Sequence, residues 1–120
     1  TAMFASHNRL NNLVAIIDRN YMCATDFTEK ILRLEPMEEK WRSFGWEVYR
    51  NNGHSFEDLI KPFSMARSRK SSKPFMVIAD TVKGKGIDYI SNVPLWHGMA
   101  PQGKHAQICR EELERNYNDV

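Results

Sequence analysis

Short apolar runs, closed by polar or glycine residues and separated by stretches with helical spacing, set the rhythm of this chain. Leu13–Ile17 and Pro74–Asp80 are Val/Ile-rich runs of strand length, and Trp46–Arg50 reads as a third strand. Thr1–Leu10 has the look of a helix end, running out at Asn11-Asn12. Pro36 at a helix entry, with Met37, Trp41 and Phe44 on one face and Gly45 near the end, predicts a helix after the loop from Asp18 to Thr28. The turn Asn51-Asn52-Gly53 precedes Ser55, a good N-cap with Asp58 three residues on, and Phe56, Leu59, Ile60, Phe63 and Ala66 form an amphipathic stripe that Pro62 threatens to interrupt. Ser68–Lys73 reads as a polar connector and Lys104–Tyr117 as a charged final helix. Strands alternating with helices predict an α/β fold, a parallel sheet between helices in three α/β/α layers.

In such sheets ligands collect where the carboxyl ends of strands open into loops. Two loops qualify. One follows Val14–Asp18 at Asn20, and the other follows Val77–Asp80, where the sequence turns to Lys83-Gly84-Lys85-Gly86.

Bulk properties remove several alternatives. With 42% apolar and 27% charged residues the chain has an ordinary globular composition, which argues against disorder. The 17 basic and 15 acidic residues nearly cancel, and basic residues are dispersed apart from Arg67–Lys73, so nucleic acid is not the expected partner. The longest apolar run, Leu13–Ile17, is far short of the roughly 20 residues that cross a bilayer. Cys23 and Cys109 stand far apart with no metal-ligand spacing, which favours reduced thiols and a cytoplasmic location over a disulfide framework.

Taken in order, NLVAIIDRNYMCATDFTE, PMEEKWRSFGWEV, NGHSFEDL, KPFMVIADTVKGKGI and PLWHGMAP resemble the thiamine-diphosphate-binding half of transketolases, in particular the short two-gene transketolases. The similarity runs over roughly residues 5 to 101. The family's Gly-Asp-Gly-Glu segment, upstream of the block beginning near Ala2, is not matched here. The resemblance therefore implies that these 120 residues are a single partial cofactor domain, its carboxyl-terminal part.

It also implies a function and a set of residues. The function is transfer of a two-carbon ketol unit between sugar phosphates, with thiamine diphosphate and Mg2+ or another divalent cation as cofactors. The expected partner is a pyrimidine-domain subunit supplying the activating glutamate, in a hetero-oligomer of dimers, so that the chain is catalytically incomplete by itself. A different thiamine-dependent two-carbon transfer in a biosynthetic pathway, or a non-catalytic assembly module on the same fold, are the alternatives.

By the same resemblance Asn20, through its side-chain oxygen, and Met22, through its backbone carbonyl, are the metal ligands, although an asparagine at that place also caps turns. Ala24 stands where a larger aliphatic side chain touches the cofactor in relatives, and Thr25-Asp26 replaces a common Asp-Gly, which implies a differently shaped pocket. Lys83 is positioned to meet the diphosphate, with Lys85 less favoured; an isolated KGKG run is otherwise a solvated turn. His97, in Trp96-His97-Gly98, matches the family histidine near the diphosphate and the substrate hydroxyls, a group able to donate a hydrogen bond or move a proton. His7, His54 and His105 have no such match. Glu35, Glu38 and Glu39 read as a solvated helix start, and Trp41 and Trp46 as core or interface aromatics.

Overall fold

Three parallel strands, β1 (Val14–Arg19), β2 (Glu47–Asn52) and β3 (Phe75–Asp80), form one sheet in the order β1-β3-β2. The computed structural model describes residues 1–118 and divides them into two compact units. The sheet belongs to the first, Thr1–Arg19 with Leu34–Thr81, together with α1 (Ala2–His7), α3 (Met37–Ser43) and α4 (Phe56–Ser68). The second unit, Asn20–Arg33 with the residues from Val82 onward, holds α2 (Thr28–Ile31), a 3-10 helix at Pro94–His97 and α5 (Lys104–Asn118).

β3 is the middle strand because it is the one that can be buried on both faces: Phe75, Met76, Val77, Ile78 and Ala79 are all buried. Its register aligns Ala15 and Val48 with Met76, and Ile17 with Ile78, so these residues share one face. Ala5 of α1 and Met37 of α3 pack there with Trp46, Met76 and Ile78. Each large side chain fully buried in this way contributes roughly 1.5–3 kcal/mol. Trp46 also donates its indole N–H to the carbonyl of Ala2 at 3.0 Å and meets Trp41 edge-on at 5.1 Å, which makes both tryptophans core residues.

α4 covers β2 and β3 on the opposite face, completing the three layers. Ser55 caps it as the sequence predicts, accepting from the Asp58 amide at 3.2 Å. Pro62 does not break it. Proline withholds the N–H that would bond the Asp58 carbonyl, and Asn51 Nδ2 fills that place at 2.8 Å. Gly45, at φ +86°, ends α3 in a conformation that residues with a Cβ disfavour.

The predicted α4 stripe is only partly buried. Leu59, Pro62 and Ala66 turn inward, whereas Phe56 is 84% and Ile60 62% exposed, because the apolar positions span a wider arc than the sheet covers. On the same sheet face Val14 and Ile16 of β1 lie beyond the cover of α4 and stay exposed. Strand limits move by one or two residues from those predicted, to Val14–Arg19, Glu47–Asn52 and Phe75–Asp80, and α2 and the 3-10 helix have no counterpart in the sequence pattern. Among the described residues no helix is long and apolar enough to cross a membrane, and Cys23 and Cys109 are free thiols.

Candidate functional site

The parallel register sets Arg19 beside Asp80, and the Thr81 amide donates to the Arg19 carbonyl at 3.2 Å. The chain therefore leaves two adjacent strands at the same carboxyl end, once toward Asn20 and once toward Lys83, as the sequence predicts for a ligand-binding edge. Asp18 and Thr81 are joined by a side-chain hydrogen bond at this exit.

Beyond β1 the chain turns at once. Tyr21 takes the left-handed conformation at φ +62°, and Asn20 Oδ1 accepts from the Met22 amide at 2.9 Å. The turn is closed by the Tyr21 carbonyl, which accepts from the Thr28 amide at 2.8 Å, and by an antiparallel bridge between Met22 and Phe27. Asp26 accepts from the Phe27 amide at 2.7 Å, and that bond holds its carboxyl below the usual carboxylate range. The Cys23 thiol is likewise lowered, first by the Thr25 backbone. Met22 is buried, and Ala24 is exposed.

A side-chain carbonyl oxygen has two lone pairs, so Asn20 Oδ1 can serve the Met22 amide and still meet a cation. Asn20 and Met22 offer neutral, hard oxygens, and among the described residues no group of three or more His, Cys, Asp or Glu gathers to hold a metal alone. That donor chemistry fits a magnesium-like ion that arrives with phosphate oxygens of its own.

The Lys83–Asn92 segment is an internally bonded loop. The Asn92 amide donates to the Lys83 carbonyl at 2.9 Å, and Ser91 Oγ donates to the Gly84 carbonyl at 2.8 Å. Gly84 sits at φ +80°, and a Cβ there would lie 3.1 Å from the Ile90 carbonyl oxygen, so glycine is required. Lys83 is half-buried and Lys85 exposed, and among the described residues no carboxylate pairs with Lys83. Its ammonium is thus available to an anion.

His97 closes the 3-10 helix and is exposed. The neighbouring Trp96 is braced by groups that sequence reasoning passed over: Tyr89 OH lies 2.5 Å from His105 Nδ1, and the Trp96 and His105 rings meet at 5.4 Å. Residues seven to 16 positions apart along a loop and a helix carry no spacing signal for this. Asn20, Met22, Ala24, Lys83 and His97 all belong to the second unit.

Glu35 and Glu38 are not a merely solvated helix start. Glu35 Oε1 accepts from Arg19 Nε at 2.9 Å, its two oxygens accept from Arg50 at 3.2 and 3.3 Å, and it caps α3 through the Met37 amide at 2.9 Å. Glu38 lies 3.7 Å from Arg50. Burial works against the charge on Glu35, but the Met37 amide, Arg19 and Arg50 outweigh it and hold the carboxyl at about 2. The carboxylates of α3 come to β2 only because a parallel sheet places them there, although a charged residue ending each apolar strand, Arg19 and Asp80, was a visible hint.

The chain is an α/β protein whose parallel strands end in loops, and those loops carry Asn20, Met22 and Lys83 in one compact unit. Residues 1–119 match the family model of the transketolase thiamine diphosphate binding domain, and the chain belongs to that family. It is 38% identical over 115 residues to a subunit of the apulose-4-phosphate transketolase of Phocaeicola vulgatus, covering 95% of this chain and 41% of that protein. It is 35% identical over 109 residues to human transketolase, covering 90% of this chain and 17% of that one. The transketolase structure from Campylobacter jejuni superposes with a TM-score of 0.81 at 27% identity, over 97% of this chain and 17% of that chain. The chain thus spans about two fifths, or less, of the length of these relatives.

Proposed function

We propose that this chain is the cofactor-binding part of a transketolase-like transferase that moves a two-carbon ketol unit between sugar phosphates, with thiamine diphosphate held through magnesium or another divalent cation. What supports the proposal is that one compact unit holds both a turn offering the Asn20 amide oxygen and a loop in which Lys83 has no carboxylate partner among the described residues.

Asn20 and the Met22 carbonyl bind the cation, and their neutrality leaves its charge for the phosphates. Lys83 adds a point charge on the diphosphate. Ala24 lines the cofactor side of the turn. His97, exposed at the end of the 3-10 helix, orients the donor sugar's hydroxyls and moves a proton at them. The cofactor, when bound, supplies the electron sink for cleaving the donor's carbon–carbon bond. The Phocaeicola vulgatus relative is named as one subunit of its transketolase, which supports a hetero-oligomer of dimers with a second, pyrimidine-domain subunit. Its sugar-phosphate name supports the substrate class, and two free thiols support the cytoplasm.

The test is a calorimetric titration of thiamine diphosphate into the full-length protein with its candidate second subunit, with and without magnesium. Saturable binding that requires magnesium, together with two-carbon transfer from a ketose phosphate to an aldose phosphate, is the expected result. Absence of binding with metal and partner both present overturns the proposal.

A further inference from the structure

His97 is carried by a single 3-10 turn, Pro94–His97. Such turns have poorer hydrogen-bond geometry than an α-helix and depend on their surroundings to stay in place. Leu95 and His97 are exposed, so the half-buried Pro94 and Trp96 are the side chains through which this turn is held. The Trp96 amide donates to the Val93 carbonyl at 3.2 Å. Similar bonds run back along the chain, from Val93 to Ile90 at 3.3 Å, and from Ile90 to Ile87 and Ile87 to Gly84 at 3.2 Å each. The main chain from Gly84 to His97 is thus a series of closed turns, not a free loop.

α5 meets this series through side chains that the reading of the cofactor site leaves unused. Asn116 Nδ2 donates to the Gly86 carbonyl at 3.1 Å, and Glu112 Oε2 accepts from the Tyr89 amide at 3.0 Å. His105 makes a third connection. Its Nδ1 shares a hydrogen bond with the Tyr89 hydroxyl at 2.5 Å, and its ring stacks on that of Tyr89 at 5.8 Å and meets that of Trp96 edge-on at 5.4 Å. The Tyr89 and Trp96 rings lie 6.1 Å apart, so the three rings pack on one another, and all belong to the same compact unit as His97. Aromatic rings attract in stacked and edge-on arrangements at these separations. Without the imidazole the Tyr89 hydroxyl loses this partner and the Trp96 ring loses a neighbour, which frees the turn that ends in His97 to shift. A misplacement of about 1 Å in a group that must meet substrate costs up to about 100-fold in rate.

We propose that His105 is a positioning residue for His97: packed against Tyr89 and Trp96, it fixes the turn from which His97 reaches the donor sugar. It acts through Trp96, the residue next to His97 in that turn. The family blocks end at Pro101 and assign His105 no role. The proposal rests on the donor-orienting role given above to His97.

The experiment uses the full-length protein with its second subunit as wild type, His97→Ala, His105→Ala, the double variant of these two, Tyr89→Phe, and Gln107→Ala as an exposed control on α5. Two quantities are read on each: turnover of a ketose phosphate donor at saturating thiamine diphosphate and magnesium, and hydrogen exchange of the Trp96 amide without ligands. His105→Ala is expected to lower turnover per folded enzyme about tenfold and to speed Trp96 exchange, with Tyr89→Phe moving both in the same direction and Gln107→Ala moving neither. In the His97→Ala background the same His105→Ala change should lower turnover by about twofold or less, because two residues that act as one unit do not add. If His97→Ala lowers turnover while folded His105→Ala matches wild type, positioning is refuted and the role of His97 survives. Equal losses from His105→Ala in both backgrounds refute it as well, since His105 would then act on something other than His97. If His97→Ala leaves turnover unchanged, the role of His97 falls and the proposal with it. Should His105→Ala not fold, Tyr89→Phe, alone and combined with His97→Ala, decides by the same two quantities.

Discussion

Asn51 Nδ2 donates at 2.8 Å to the carbonyl of Asp58, the carbonyl from which Pro62 withholds its helical partner. A side chain from β2 thus completes a helix that its own sequence leaves one hydrogen bond short. The exchange is not free for Asn51, whose Oδ1 is buried with no partner among the described residues.

Asn51→Ala is therefore expected to cost about 1 kcal/mol, the value of one net hydrogen bond plus the orphaned Asp58 carbonyl, less the relief of the unpartnered oxygen. In a Pro62→Ala background the alanine amide restored at that position can take the Asp58 carbonyl, and the same substitution should cost less. Urea unfolding of the four proteins in this cycle measures the coupling. Strictly additive penalties would show that Asn51 does not substitute for the missing amide.

The Glu35 carboxyl, at about 2 in the folded chain against an ordinary 4.5, binds its proton more readily when unfolded. Its contribution to stability is thus complete above about pH 4.5 and is lost as the pH falls toward 2. With the side chain 31% exposed, screening reduces that contribution to on the order of 1–2 kcal/mol. Melting curves of wild type and Glu35→Gln between pH 7 and 2 should converge as acid is added. Parallel curves over that range would mean that the network does not depress this carboxyl.

Asn20→Ala is expected to weaken thiamine diphosphate binding about tenfold or more at limiting magnesium and less at saturating magnesium, because one oxygen leaves a small ligand shell. Met22→Leu should leave cofactor affinity nearly unchanged, since the proposed ligand is a backbone carbonyl and the buried side chain is exchanged for one of similar volume. Equal affinities for wild type and Asn20→Ala at limiting magnesium would remove Asn20 from the metal site.

His97 is exposed at the end of a 3-10 helix, so His97→Ala should leave the melting temperature within a degree or two. Turnover per folded enzyme should drop by roughly 100-fold, the lower range for a lost general acid or base. A large fall in melting temperature with turnover preserved would make His97 a structural residue.

Features encoded within a few residues were legible in the sequence. The apolar run within Pro74–Asp80 read as a buried strand, Ser55 with Asp58 marked the start of α4, and Gly45 marked the end of α3. Family blocks pointed to Asn20, Met22, Lys83 and His97, and the structure places all four in one unit, on loops or a short helix. Tertiary structure decided the rest. Which side of the α4 stripe is buried depends on how far a three-stranded sheet extends, so Phe56 and Pro62 exchange the places that helical periodicity alone suggests. The pairing of Glu35 with Arg19 and Arg50, and of Arg50 with Asp80, joins residues 15 to 30 positions apart. Nothing local specifies these contacts: they follow from the register of parallel strands, which is set by crossovers and by burial of whole faces, and one step of slippage would send each of these charges to the other side of the sheet.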